Sequence, residues 1–215
     1  MKLYLSSYGF GNRPEEILKL AGANLKVASI MNAYDYQATE QRTVKGNEQL
    51  ATLRELGFEP EEVDLRDYFG KSGELAAKFQ LFGVTYVGGG NTFLLRTAMQ
   101  LSGLDRILVT RIRDDSLLYA GSSAGSCVLS PTLGPLAVMD DPEVVQQVYG
   151  VPAVTSGLGI LEYVFVPHYM SDHPASDAAE KAVDAMEKAQ ISHMALTDGE
   201  VLIIDGDGSE ETVVS

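Results

Sequence analysis

The stretch Leu117-Leu118-Tyr119-Ala120-Gly121-Ser122-Ser123-Ala124-Gly125-Ser126 carries an apolar run straight into Gly-x-Ser-x-Gly. A strand that turns sharply into a helix at this pattern holds its central serine in a strained backbone geometry, and the flanking glycines leave room for the close approach. Ser123 is therefore the candidate nucleophile. Ser122 and Ser126 do not occupy the central place. Cys127 lies one helical turn deeper, where a thiol is expected to pack against the core rather than react.

A serine hydroxyl needs a base within hydrogen-bond reach and a third group to orient that base. The chain has three histidines. His168 follows the apolar run Val164-Phe165-Val166-Pro167, so it falls just past the end of a strand, where α/β folds place ligands. It is the better candidate base. His173, on the same loop, is a candidate substrate contact, and His193, at the start of a strand, reads as structural. The orienting acid has three candidates: Asp140 and Asp141 after the elbow helix, and Asp198 after a late strand. Spacing does not choose among them, and the order of triad members along a chain differs between folds.

A tetrahedral intermediate needs two donors for its oxyanion. One is expected from the backbone N–H of Ala124, at the start of a helix. The other is expected from Gly89 or Gly90, where Val84-Thr85-Tyr86-Val87 opens into Gly88-Gly89-Gly90-Asn91-Thr92 and bare amides can crowd a carbonyl oxygen. Asn91 and Thr92, next along that turn, are candidate substrate-binding residues. The glycines lack the lysine of a P-loop and the spacing of a dinucleotide fingerprint.

These residues must be positioned by elements, and the pattern supplies them. Short β-branched runs alternate with stretches of helical period, which predicts a three-layer α/β sandwich around a mostly parallel sheet. Strands are expected at Leu3–Ser7, Lys26–Met31, Glu59–Asp64, Gly83–Val87, Leu117–Gly121, Tyr163–Val166, Met194–Leu196 and Val201–Ile204. Helices are expected at Pro14–Ala21, Ala38–Leu56, Gly73–Gln80, Thr92–Gln100, after Ser123, and at Ala175–Ala189. From Ser130 to Gly159 the rhythm breaks into Pro, Gly and scattered acids, as an excursion beside an active site would. Asp205-Gly206-Asp207-Gly208-Ser209 reads as a tight turn between the last strands rather than a calcium loop, which needs more ligands.

With 215 residues, 45% of them hydrophobic, the chain is expected to form a single domain over 1–215. A formal charge of −14 and the lack of a basic stripe argue against nucleic acid and anionic membranes as partners. The first residues carry neither signal-peptide nor membrane-span character, and the lone Cys127 fits a reducing compartment, so a cytoplasmic location is expected. No cofactor or metal is implied. A homodimer is compatible with this composition, although no apolar stripe marks its surface.

Three segments in series resemble one known family: Gly88-Gly89-Gly90-Asn91-Thr92-Phe93-Leu94-Leu95, Tyr119-Ala120-Gly121-Ser122-Ser123-Ala124-Gly125 and Val166-Pro167-His168-Tyr169. Together they resemble the peptidase E (dipeptidase E) family of serine peptidases, and more distantly cyanophycinase. Supporting similarity runs through Val63–Phe69 and Met139–Pro142. The resemblance implies a fold like class I glutamine amidotransferase domains, with serine in place of the elbow cysteine. It further implies hydrolysis of a peptide bond near a free N-terminus, with Ser123 as nucleophile and His168 as base. The third member maps onto Asp140 or Asp141 by one alignment of the loop and onto Asp198 by another.

Well-known members cleave dipeptides beginning with aspartate, which calls for a cationic partner in the pocket. Tyr169–Asp177 holds no arginine, so a broader dipeptidase or aminopeptidase specificity stands beside the aspartyl one. Two further readings belong to other classes: a catalytically silent amidotransferase-like module that binds an amino acid or peptide, and an esterase.

Overall fold

The computed structural model describes residues 1–206 and 211–215. Among the described residues, nine strands run in chain order: β1 Lys2–Ser6, β2 Lys26–Ile30, β3 Glu59–Glu62, β4 Val84–Val87, β5 Leu118–Ser122, β6 Val164–Val166, β7 His193–Ala195, β8 Val201–Ile204 and β9 Glu211–Val214. The α-helices are α1 Glu15–Leu20, α2 Thr39–Glu55, α3 Ser72–Phe79, α4 Thr92–Ser102, α5 Leu104–Arg113, α6 Ala124–Cys127, α7 Glu143–Tyr149 and α8 Ser176–Ala189.

Seven strands form one sheet in the order β3-β2-β4-β5-β1-β8-β9. From β3 to β1 the pairs are parallel, and β8 and β9 add antiparallel strands at one end. The central strands β4 and β5 are buried throughout, as strands covered on both faces must be. Period-2 alternation divides their side chains between two cores. Leu3, Leu5, Tyr119 and Val87 join α3, α4, α5 and α8 on one face, while Tyr4, Leu118, Ala120, Val84 and Tyr86 join α1 and α2 on the other. This is the three-layer α/β architecture expected. The edge strand β3 is Glu-Pro-Glu-Glu, whose charge and missing amide discourage pairing with another chain.

Two expected strands depart from the main sheet. β6 and β7 pair with each other in parallel as a separate two-stranded sheet, and β6 leads into His168. The segment from Ser130 to Gly159 also holds more structure than its composition suggested: a 3₁₀ turn at Gly134–Val138 and helix α7. Its two ends are pinned together by an antiparallel bridge between Thr132 and Ser156 and by Leu133 N–H donating to Thr155 O at 2.8 Å. Helix α5 was not anticipated, because Gly103, at φ 80° in the left-handed region, ends α4 and lets a second helix start at once. The expected turn after Asp205 lies mostly outside the described residues. Among the described residues, no helix is long and apolar enough to cross a membrane.

Candidate active site

The carboxyl ends of β1, β2, β4 and β5 open into a cavity of about 420 Å³, which Ser123, His168 and His173 all line. Ser123 sits between β5 and α6 at φ 50°, ψ −111°, a conformation that costs a residue with a β-carbon on the order of 1–3 kcal/mol. The surrounding packing enforces it. A β-carbon on Gly125 would lie 2.1 Å from Val87 O, and one on Gly121 would lie 2.7 Å from Gly125 C. Neither flank of the turn has space for a side chain. The Ser123 N–H donates to Ser6 O at 3.1 Å, and Tyr119 Oη–H donates to Gly125 O at 2.5 Å, fixing the turn from below.

Ser123 Oγ and His168 Nε2 are 2.9 Å apart, and His168 Nδ1 and Asp198 Oδ1 are 2.7 Å apart. A carboxylate only accepts, so Nδ1 carries the proton and Nε2 is left to accept from the serine hydroxyl. His168 also has a left-handed backbone, φ 63°, at the end of β6. Burial pushes its imidazole below the ordinary value of 6.5; the Asp198 hydrogen bond and charge oppose that, and neighbouring His173 adds to it.

Asp198 is thus the carboxylate that meets His168, and the two alternatives are placed elsewhere. Asp140 is half-buried and accepts from Thr92 N–H at 2.9 Å, at the first turn of α4. Asp141 accepts from Glu143 N–H at 2.9 Å at the start of α7, and its carbonyl accepts from Asn91 Nδ2 at 3.0 Å. The excursion ties both to the starts of α4 and α7, whereas Asp198, in the loop after β7, is the one hydrogen-bonded to His168.

Gly89 lies against Ser123: a β-carbon there would be 3.2 Å from Ser123 Cβ. Gly90 has φ 125°, and its β-carbon would meet Ala33 O at 2.5 Å, so its role is a tight crossing of the loop after β2. Ala124, first residue of α6, has no intrahelical acceptor for its N–H. Asn91, expected to contact substrate, instead caps α4, its Oδ1 accepting from Phe93 N–H and Leu94 N–H at 3.0 Å each. Thr92 does line the cavity. Cys127 is buried, its Sγ–H directed at Phe165 O at 3.6 Å, and burial pushes its thiol well up, which makes it inert.

His173 stacks on His168 with ring centroids 3.7 Å apart and planes 7° from parallel, and Tyr8 packs against both rings. Ligand atoms of His168, His173 and Asp198 fall within 4.8 Å of one another. As a cation site the trio is poorly arranged: His168 Nδ1 is engaged by Asp198, His173 Nδ1 accepts from Ala175 N–H at 3.1 Å, and parallel rings do not converge their lone pairs.

Two contributors were missed in the sequence. Ser7, just past β1, donates from Oγ to Asp198 Oδ1 at 2.9 Å and accepts from the His168 N–H at 2.8 Å. Tyr8, Phe10, Tyr34 and Tyr36 form an aromatic wall from the loops after β1 and β2. Their position just beyond buried strands is the signal that could have found them.

The model of peptidase family S51 matches residues 15–212. The chain belongs to peptidase family S51. Peptidase E of Streptomyces coelicolor is 28% identical over 150 residues, 67% of this chain and 58% of that protein. An uncharacterised peptidase of Listeria monocytogenes is 29% identical over 131 residues, 61% of this chain and 60% of its own length. The match thus spans about three fifths of these relatives' length. The fold is that of a crystal structure of a candidate peptidase E protein from Listeria monocytogenes EGD-e, at TM-score 0.77 and 24% identity over 99% of this chain and 97% of that one. A peptidase from an acI-B1 actinobacterium aligns at TM-score 0.67 and 14% identity, over 99% and 86% of the two chains.

Proposed function

We propose that this chain is a serine peptidase that removes the N-terminal residue of small peptides, as one catalytic domain. The observation that carries the reading is the continuous hydrogen-bonded line from Ser123 Oγ through His168 to Asp198, made from three separate segments of chain. In the mechanism, His168 Nε2 takes the Ser123 proton as Oγ attacks the scissile carbonyl carbon. The oxyanion forms between the Ala124 and Gly89 N–H groups. His168 then delivers its proton to the leaving nitrogen as the C–N bond breaks, and water repeats the sequence on the acyl-enzyme. Asp198 keeps the imidazole in the right tautomer and stabilises its cation.

Asp140 gives the exopeptidase character a physical basis. Its carboxylate lines the cavity, is half-buried, and has no lysine or arginine beside it among the described residues, so it suits the ammonium of a free N-terminus. N-acetylated peptides are expected to resist cleavage at least tenfold. The wall of Tyr8, Phe10, Tyr34 and Tyr36 bears on the first residue's side chain. Among the described residues, Lys45 is the one lysine or arginine lining the cavity, and it pairs with Glu48 at 3.3 Å. This favours neutral N-terminal residues over aspartate.

The lone, buried cysteine supports a cytoplasmic setting. A homodimer is not needed by this mechanism. The test is mass-spectrometric digestion of a mixed dipeptide and tripeptide library by wild type and Ser123→Ala, with a chelator present. Loss of peptides only with wild type supports the reading; equal cleavage by the variant would remove Ser123 from it. Preferential loss of Asp-initiated dipeptides would restore aspartyl specificity.

A further inference from the structure

His168 and Asp198 lie past the ends of β6 and β7, two strands of three residues each that pair only with one another. The Asp198 side chain is 22% exposed, so packing alone does not hold it. Beyond so short a ladder, the register between the two residues has to come from individual hydrogen bonds.

The pairing continues for one step on each side. Leu196 N–H donates to Val166 O at 3.0 Å, and Tyr169 N–H donates to Leu196 O at 3.0 Å. His168 and Met170, at φ 63° and 48°, then turn their chain aside. A continued parallel ladder would hand the Asp198 N–H a backbone carbonyl. It meets the Ser171 hydroxyl instead, donating to Oγ at 2.8 Å. That hydroxyl is itself fixed, because its proton goes to Tyr169 O at 3.1 Å and the Ser171 N–H donates to Ser176 Oγ at 3.0 Å, where α8 begins. Ser171 thus fastens the main chain of Asp198 to the loop of His168, while Ser7 holds the Asp198 carboxylate. Ser171 does not line the cavity, so its influence on the chemistry there has to pass through Asp198.

We propose, on the serine-peptidase reading above, that Ser171 is a positioning residue whose hydroxyl takes the place of a ladder rung and so keeps the Asp198 carboxylate on His168 Nδ1.

The test compares wild type, Ser171→Ala, Asp198→Ala and the double variant by the rate at which a fluorophosphonate labels Ser123, followed by mass spectrometry. Ser171→Ala alone is expected to slow labelling about fivefold, the worth of one hydrogen bond. In the Asp198→Ala background the same change is expected to cost less than about twofold, because the group it positions is gone. The pH dependence of labelling gives a second readout. The Asp198 hydrogen bond raises the His168 imidazole against the burial that lowers it, and His173 and Tyr8 are the other titratable groups against that ring. A loosened Asp198 is therefore expected to move the midpoint down in Ser171→Ala. An unchanged rate in Ser171→Ala, an equal fold loss in both backgrounds, or an unmoved midpoint would overturn the proposal. Failure of the peptidase reading would look different: wild type itself would not be labelled, and the proposal would fall with it.

Discussion

The Ser7 hydroxyl lies between Asp198 Oδ1, 2.9 Å away, and the His168 N–H, 2.8 Å away, so one small side chain sets both the Asp198 carboxylate and the His168 backbone. Ser7→Ala removes one of the two hydrogen bonds that orient Asp198 Oδ1. A bond of this kind contributes about 1–1.5 kcal/mol, so kcat is expected to fall about tenfold with KM little changed. A proportional rise in KM would instead place Ser7 in substrate binding. Burial, as the largest influence, holds His168 below 6.5, so the imidazole is neutral and competent as a base at pH 7. Phosphonylation of Ser123 by a fluorophosphonate is therefore expected to slow on acidification with a midpoint below pH 6.5. A midpoint at or above that value would mean that the Asp198 partnership outweighs burial.

The loops around the site are held by a buried ionic knot. The Asp35 side chain, fully buried after β2, accepts from Arg42 Nε at 2.8 Å, Asn32 Nδ2 at 2.7 Å and Tyr149 Oη at 2.5 Å. Arg42 on α2 also reaches Glu62 at the end of β3 and Asp64 beyond it. The knot ties the loop of Tyr34 and Tyr36 to α7, and hence to the excursion that carries Asp140. Removing one partner of a buried pair leaves a charge uncompensated, so Arg42→Ala is expected to cost about 3 kcal/mol. Thermal unfolding should shift down by on the order of 10 °C for a chain of this size. A shift under about 2 °C would mean that Arg66, 3.6 Å from Asp35, takes over. Little of this knot shows in sequence, since its members come from four elements and no spacing links them. The elbow was legible because its constraint is local: strand, glycine, serine, glycine and helix are contiguous.

Across the whole molecule, 30 acidic against 16 basic side chains leave a self-repulsion that salt relieves, while buried pairs such as Arg42 and Asp35 are shielded from it. The urea midpoint is expected to rise between 0.05 and 0.5 M sodium chloride; a fall would show that attractive surface networks outweigh net charge. At this scale the layered α/β class and the places of the early strands along the chain followed from the sequence alone, which also singled out Ser123 and His168, two side chains the fold brings to 2.9 Å. Hydrophobic period and backbone sterics act over a few residues, so they are written where they act. The tertiary structure decided the rest. It set β6 and β7 apart from the main sheet, folded Ser130–Gly159 into a closed excursion, gave Asn91 to a helix cap, and brought Asp198, not Asp140 or Asp141, to His168. Each of those outcomes depends on which chain segments meet at the carboxyl edge of the sheet. Three carboxylates of equal chemistry are told apart only by distance to one imidazole, and that distance exists only in the folded chain.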